Sequence, residues 1–143
     1  MSKGDTFEND MQKLIFQAVA IANIADNAAT APLTNLYVSL HTGDPGEAGT
    51  QLTSESAYTG YARVAVARTS GGWAVAANVI DNVAAITFPL CTAGSSTVTY
   101  FGVGTAVSGA GKLLYSGALT ASLAISNGIT PSFAIGALDV TED

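Results

Sequence analysis

The hydrophobic period of the chain changes once, near residue 36, and does not change back. From there apolar residues alternate with polar or small ones: Leu36, Val38 and Leu40 against Tyr37, Ser39 and His41, then Ala62, Val64 and Val66 against Arg63, Ala65 and Ala67. A period of two marks half-buried strands. The same pattern predicts strands at 73–78, 83–88, 97–104, 112–116, 119–126 and 132–140, about eight in all at the spacing of a sandwich. Turn chemistry falls between them at Asp44-Pro45-Gly46, Ser70-Gly71-Gly72, Ala93-Gly94-Ser95, Ser108-Gly109-Ala110-Gly111 and Asn127-Gly128. No helical segment separates the strands, so the expected fold is mainly β, an antiparallel β-sandwich or jelly roll and not a βαβ fold. Two turns are read as structural. Pro45 presets φ and Gly46 accepts a positive φ, the requirement of a type II turn begun by Asp44. Asn127-Gly128 suits a type I′ hairpin, which would make 119–126 and 129–138 antiparallel neighbours.

Ahead of the β region the period is helical. Phe7, Met11, Leu14, Ile15, Ala18, Ala22 and Ala25 recur at steps of three and four, which predicts an amphipathic helix over 5–29 with Asp5 and Glu8 at its capped start. Pro32 forbids its continuation. The expected organisation is therefore an N-terminal helical arm, residues 1–30, and a β-sandwich domain, residues 31–143, joined near Asn27–Thr34. The large apolar residues of the arm, Phe7, Met11, Leu14 and Ile15, are the expected interaction surface toward a partner.

Charge narrows the function. The 143 residues include 5 Lys+Arg and 11 Asp+Glu, a net charge of -6, with only 11% charged residues. Five scattered cations leave no electrostatic footprint for nucleic acid or anionic lipid, and a surface so poor in charge is expected to be covered in part by other subunits, copies of this chain among them. No apolar run reaches the roughly 20 residues that span a bilayer, and the N-terminus lacks the order of a signal peptide, so synthesis in a cytoplasm without export by that route is expected. One cysteine, Cys91, and one histidine, His41, exclude an internal disulfide and any multi-thiolate or two-histidine metal site.

Gly109-Ala110-Gly111-Lys112 lacks the preceding glycine and the following Ser or Thr of a phosphate loop, with Ala106 and Leu113 in those places. Gly102-Val103-Gly104 has Val107 where a dinucleotide fingerprint needs its third glycine. His41 beside a turn reads as a hydrogen bonder, although a serine partner for general-base work is conceivable. Asp44, Glu47 and Glu55 do not have the spacing of a calcium loop. Arg63 and Arg68 face opposite sides of a strand, Cys91 reads as a small buried residue, and Trp73 as core. No catalytic, cofactor-binding or metal site emerges, and the chain is expected not to be an enzyme.

The stretch from Leu36 through His41-Thr42-Gly43-Asp44-Pro45-Gly46 to Gly49, then Tyr58-Thr59-Gly60-Tyr61-Ala62-Arg63, Phe101-Gly102-Val103-Gly104-Thr105 and Gly111-Lys112-Leu113-Leu114-Tyr115-Ser116-Gly117, resembles a family of small tailed-bacteriophage virion proteins labelled tail-fibre-like or structural. The resemblance implies a virion component whose partners are other virion proteins. One compact acidic β-domain with an arm and no repeat suits a capsid decoration, or cement, protein that binds the major capsid protein, with a tail or tail-fibre-like accessory subunit as the alternative. A third reading, a carbohydrate-binding sandwich for the host surface, would use Tyr58 and Tyr61 near Glu55, although their odd spacing puts them on opposite faces if the strand begins before Tyr58.

Overall fold

The structure, a computed structural model, describes residues 5–21 and 32–141. It is mainly β, with nine strands in antiparallel sheets and one N-terminal helix, consistent with a β-sandwich. The elements are α1 (Asp5–Gln17), β1 (Asn35–His41), β2 (Val64–Ala67), β3 (Trp73–Ala76), β4 (Val79–Asn82), β5 (Ile86–Thr87), β6 (Ser95–Gly104), β7 (Leu113–Ser126), β8 (Ser132–Phe133) and β9 (Asp139–Thr141). The sheets run β2-β1-β6-β7, β3-β4-β9 and β5-β8.

The chain divides into two compact units, one from residues up to 35 with 66–86 and 133 onward, the other from 36–65 and 87–132. The expected boundary between residues 30 and 31 lies outside the described residues. In the first unit α1 packs on β3: Phe16 is fully buried and meets Trp73 edge to face at 4.8 Å. The amide of Gln17 donates to the Trp73 carbonyl at 3.0 Å.

The helix is shorter than its apolar period suggests. It stops at Gln17 because Ala18 takes a left-handed φ of 56° and the Val19 N–H turns back to the Lys13 carbonyl. The last turn carries no basic residue of its own. Arg68 supplies the charge instead, donating to the carbonyls of Leu14 and Ile15 at 2.7 and 2.6 Å, where a cation complements the helix dipole and the unpaired carbonyls. Residues 22–29 of the expected helix lie outside the described residues.

A two-residue loop, Ala77-Asn78, joins β3 to β4, pairing Ala76 with Val79 and Val75 with Ile80. Both loop residues have positive φ, 49° and 57°, the type I′ conformation. The helix holds this turn: the Asn78 N–H donates to the Asn9 side chain at 3.0 Å, and Gln12 donates to the Asn78 carbonyl at 2.8 Å. Beyond β4, buried Asn82 donates to the carbonyls of Ala84 and Ala134 and accepts from the N–H groups of Ala137 and Leu138.

The second unit is built on β1, β6 and β7. Val38 to His41 of β1 and Phe101 to Gly104 of β6 are buried residue after residue, as expected of central strands covered on both faces. They pair antiparallel from Tyr37↔Gly104 to His41↔Tyr100, and β6 pairs with β7 from Ser95↔Ser126 to Gly104↔Leu113.

Four expectations about strands and their turns differ from the structure. Residues 112–116 and 119–126 are one strand, β7, not two, because the step between them is a bulge within the β6–β7 ladder. The expected strand at 83–88 is replaced by β4 and the short β5, and that at 132–140 by β8 and β9. Asn127-Gly128 is a turn, closed by Ile129 N–H to the Ser126 carbonyl at 3.0 Å, but only Gly128 has positive φ. It is therefore not type I′, and the strand before it pairs with β6, not with the segment after it.

Candidate functional site

The motif residues of the second unit converge on a buried polar cluster. His41 and Ser39, both on β1, are fully buried. The His41 Nδ1 lies 2.8 Å from the Thr53 carbonyl, which can only accept, so this nitrogen carries the proton. Burial pushes the imidazole below its ordinary pKa, against the opposing effects of the Thr53 hydrogen bond and the Glu55 carboxylate. The neutral ring then leaves Nε2 to accept from the Ser39 hydroxyl at 2.8 Å. This is the contact of a serine–histidine pair, but it is sealed. A Cβ on Gly102 would stand 2.6 Å from His41 Nε2 and 2.7 Å from Ser39 Oγ, so the β6 backbone occupies the place from which a substrate would approach. The pair joins two positions of β1 to each other and, through His41 Nδ1, to the Thr53 carbonyl.

Next to it, Arg63 and Glu55 form a bidentate ion pair, Nε to Oε1 at 2.6 Å and a terminal nitrogen to Oε2 at 2.7 Å, with side chains only 2% and 11% exposed. The guanidinium also donates to the carbonyls of Ala106 and Gly109, which pins the glycine hairpin before β7. Tyr61 donates to Glu55 Oε1 at 2.9 Å and accepts from the Leu40 N–H. Burial raises its hydroxyl far above the usual range, and the Glu55 charge adds to that. The tyrosines are not on opposite faces of a strand. Gly60, at φ +100°, turns the chain so that Tyr58 and Tyr61 meet edge to face at 5.4 Å. A Cβ there would strike the Leu90 carbonyl at 2.6 Å. Tyr58 is 4% exposed and donates to the Pro89 carbonyl, so this aromatic pair presents no platform for a sugar ring.

Gln51, unremarked in the sequence, is the third member. It is fully buried; its side-chain carbonyl accepts from the Ala106 N–H at 2.9 Å, and its own N–H donates to the Gly111 carbonyl. Gly104 and Gly111 both leave the space it fills, since a Cβ on either would come within 2.2 Å of its side chain. The spacing of glycines in Phe-Gly-Val-Gly and Gly-Lys-Leu-Leu was the signal available for such a close approach.

Residues 5–141 match the family described as podophage GP4 fiber I protein gp80. The chain belongs to this family of tailed-phage virion structural proteins. Its place is the virion. No curated protein matches the chain. In this gp80 fiber family member the resembling motifs are thus packing devices: the glycines admit Gln51, His41 and Ser39, and the Tyr-x-Gly-Tyr-x-Arg segment supplies the ion pair.

The remaining expected site residues are placed as follows. Gly46 has φ +68° and its N–H is held by the Asp44 carboxylate at 2.8 Å, with Pro45 buried beside it; the hydrogen-bonded turn at this place runs from Gly46 to Gly49, whose N–H donates to the Gly46 carbonyl at 3.0 Å, and does not begin at Asp44. Met11, Leu14 and Ile15 are half-buried on α1, and the side chain of Phe7 lies outside the described residues. Arg63 and Arg68 belong to different units. Cys91 and Trp73 are fully buried. An open cavity of about 600 Å³ is lined by Asp44, Glu47, Tyr100, Leu114 and Tyr115, among others. Its polar groups are two carboxylates, two phenol rings and the Ser116 hydroxyl. Among the described residues no cluster of three His, Cys, Asp or Glu could hold a metal ion.

Proposed function

We propose that the protein is a non-catalytic subunit of the virion fiber apparatus that acts through protein–protein contacts. The observation that carries this reading is the family match over residues 5–141, which takes in α1 and every strand. The polar cluster supports it: its groups bind one another and the backbone, so it shapes a unit and is not arranged to transform a ligand.

A second reading, shell decoration on the major capsid protein, is favoured by one observation. The order of elements contains no repeated supersecondary unit among the described residues, whereas extended shafts are built by repetition. Copy number separates the two. Quantitative mass spectrometry of purified virions is expected to give a few copies per particle, as for a fiber set; hundreds would replace the fiber reading with decoration, and absence from the particle would overturn both.

A further inference from the structure

The open edge of the second unit's sheet coincides with the neutral part of the chain. Between residues 82 and 138 Lys112 is the single charged residue, where 57 residues at the chain's 11% would carry about six. This segment supplies β6 and β7. Because β7 ends the sheet order β2-β1-β6-β7 among the described residues, a row of its backbone N–H and C=O groups faces away from β6. Proteins ordinarily blunt such edges with Lys, Pro, short length or a bulge, and of these β7 has only the bulge opposite Thr99. The 14 residues Leu113–Ser126 contain no charge and no proline, whereas the other edge, β2, is four residues long between Arg63 and Arg68. The exposed side chains along β7, Ala118, Thr120, Ala121, Ser122 and Ala124 among them, are small enough to let another backbone approach.

We propose that β7 pairs with β7 of a second copy, antiparallel about a twofold axis, continuing the sheet from one molecule into the next. This rests on the reading that the protein works through contacts with other chains, and it names one surface and its occupant. Charge distribution selects the occupant. Two copies that each carry -6 repel wherever their carboxylates face, and β7 brings none of its own. The bulge fixes the register. Leu119 to Ser122 lie between the pairs Ala118↔Tyr100 and Leu123↔Val98, opposite Thr99 alone, which bends the strand and leaves straight runs at 113–118 and 123–126. An axis at Thr120-Ala121 sets the first run of one copy against the second run of its mate. The first run borders the cavity that holds Asp44 and Glu47, so this register keeps those carboxylates from meeting their symmetry equivalents. Such an isologous contact is self-complementary and closes at two.

The full chain is expected to be a dimer by light scattering at micromolar concentration. Thr120→Lys with Ala124→Lys, which places like charges across the axis, is expected to weaken association at least about tenfold. Thr120→Cys, beside the axis, is expected to give a disulfide-linked dimer on oxidation, whereas Ser70→Cys in the other unit does not; the natural Cys91 is buried and silent. The cysteine variant keeps the test open if the lysine variant fails to fold. A monomeric wild-type chain, a dimer indifferent to the lysines, or cross-linking equal at residues 70 and 120 overturns the proposal. A monomer whose β7 amides gain exchange protection only in the virion overturns the second copy in favour of another virion protein. The reading as a virion subunit fails separately, by absence from purified particles.

Discussion

Replacing Arg63 by Met removes four hydrogen bonds at once, two to Glu55 and one each to the carbonyls of Ala106 and Gly109. The apolar stem of the side chain is approximately kept, so the loss is electrostatic more than volumetric. What remains is a carboxylate only 11% exposed, with the Tyr61 hydroxyl as a donor. Removing one partner of a buried ion pair costs about 3–5 kcal/mol, because the other charge stays buried without compensation. For a chain of this length that corresponds to a fall in melting temperature of roughly 10–20 °C. Arg63→Lys keeps the charge but cannot supply the fork, and should cost about half as much. Removing both charges, Arg63→Met with Glu55→Gln, should cost less than the sum of the single changes, since neither partner is then left as an unpaired ion. Near-UV circular dichroism melts at 0.1 and 1 M NaCl form the assay. The loss should be nearly the same in both, because a buried pair is poorly screened even when the Debye length falls from about 10 to about 3 Å. A cost below about 1 kcal/mol, or one abolished by salt, is the behaviour of a surface pair and would refute the assignment of this cluster as the structural centre of the unit.

Gly46→Val should cost about 1–2 kcal/mol in chemical denaturation, since φ is +68° and a Cβ meets nothing within 4 Å, which leaves backbone strain as the whole effect. Ala77→Gly should raise stability by about 0.5–1 kcal/mol, because Ala77 now holds a positive φ in a type I′ turn; a melting temperature that falls would contradict the turn type. His41, with its folded pKa below the ordinary 6.5, lets the unfolded chain bind more protons in the interval below that value. Stability measured by urea titration should therefore be full above about pH 6.5 and decline as pH falls through that interval, by at most about 1.4 kcal/mol per pH unit from this group, and His41→Gln should flatten the slope. Particles washed in 1 M NaCl should retain the protein on a gel of the pellet while mild denaturant releases it, since neutral contacts are not screened; release by salt alone would point to an electrostatic interface.

How much of this was legible beforehand differs by the range of the interaction. The β class followed from the period of two, and the positive φ of Gly46 followed from Asp-Pro-Gly, because both are local. Trp73 and Cys91 were assigned to the interior on residue type. The end of α1 could not be read, since the group that binds its carbonyls, Arg68, lies 53 residues beyond Ile15, and Ala18 is a poor left-handed residue on local grounds. The type I′ turn was expected at Asn127-Gly128, where propensity is high, and is found at Ala77-Asn78, where contacts from Asn9 and Gln12 override it. Tyr58 and Tyr61 were placed on opposite faces by counting along a strand; Gly60 breaks the strand and reverses that result. Gln51 carried no signal of its own, and only the glycines that make room for it did.

Ser39 and His41 show why contact geometry has to be weighed against access. A hydroxyl 2.8 Å from an imidazole nitrogen is the arrangement that activates a nucleophile when substrate can reach it. Here the β6 backbone at Gly102 closes the approach, and the same contact instead satisfies two buried polar groups. Arg63, Glu55, Gln51 and Asn82 follow this logic, each aimed at a carbonyl, an amide or another of their number. Buried polar groups with satisfied partners favour one register over its neighbours, because a slip would leave them unpaired at a cost of about 1–3 kcal/mol each. In a sheet whose side-chain period is two, a slip of one residue also exchanges the faces. A chain with no disulfide to fix its shape thus gains a definite register from its interior polar contacts.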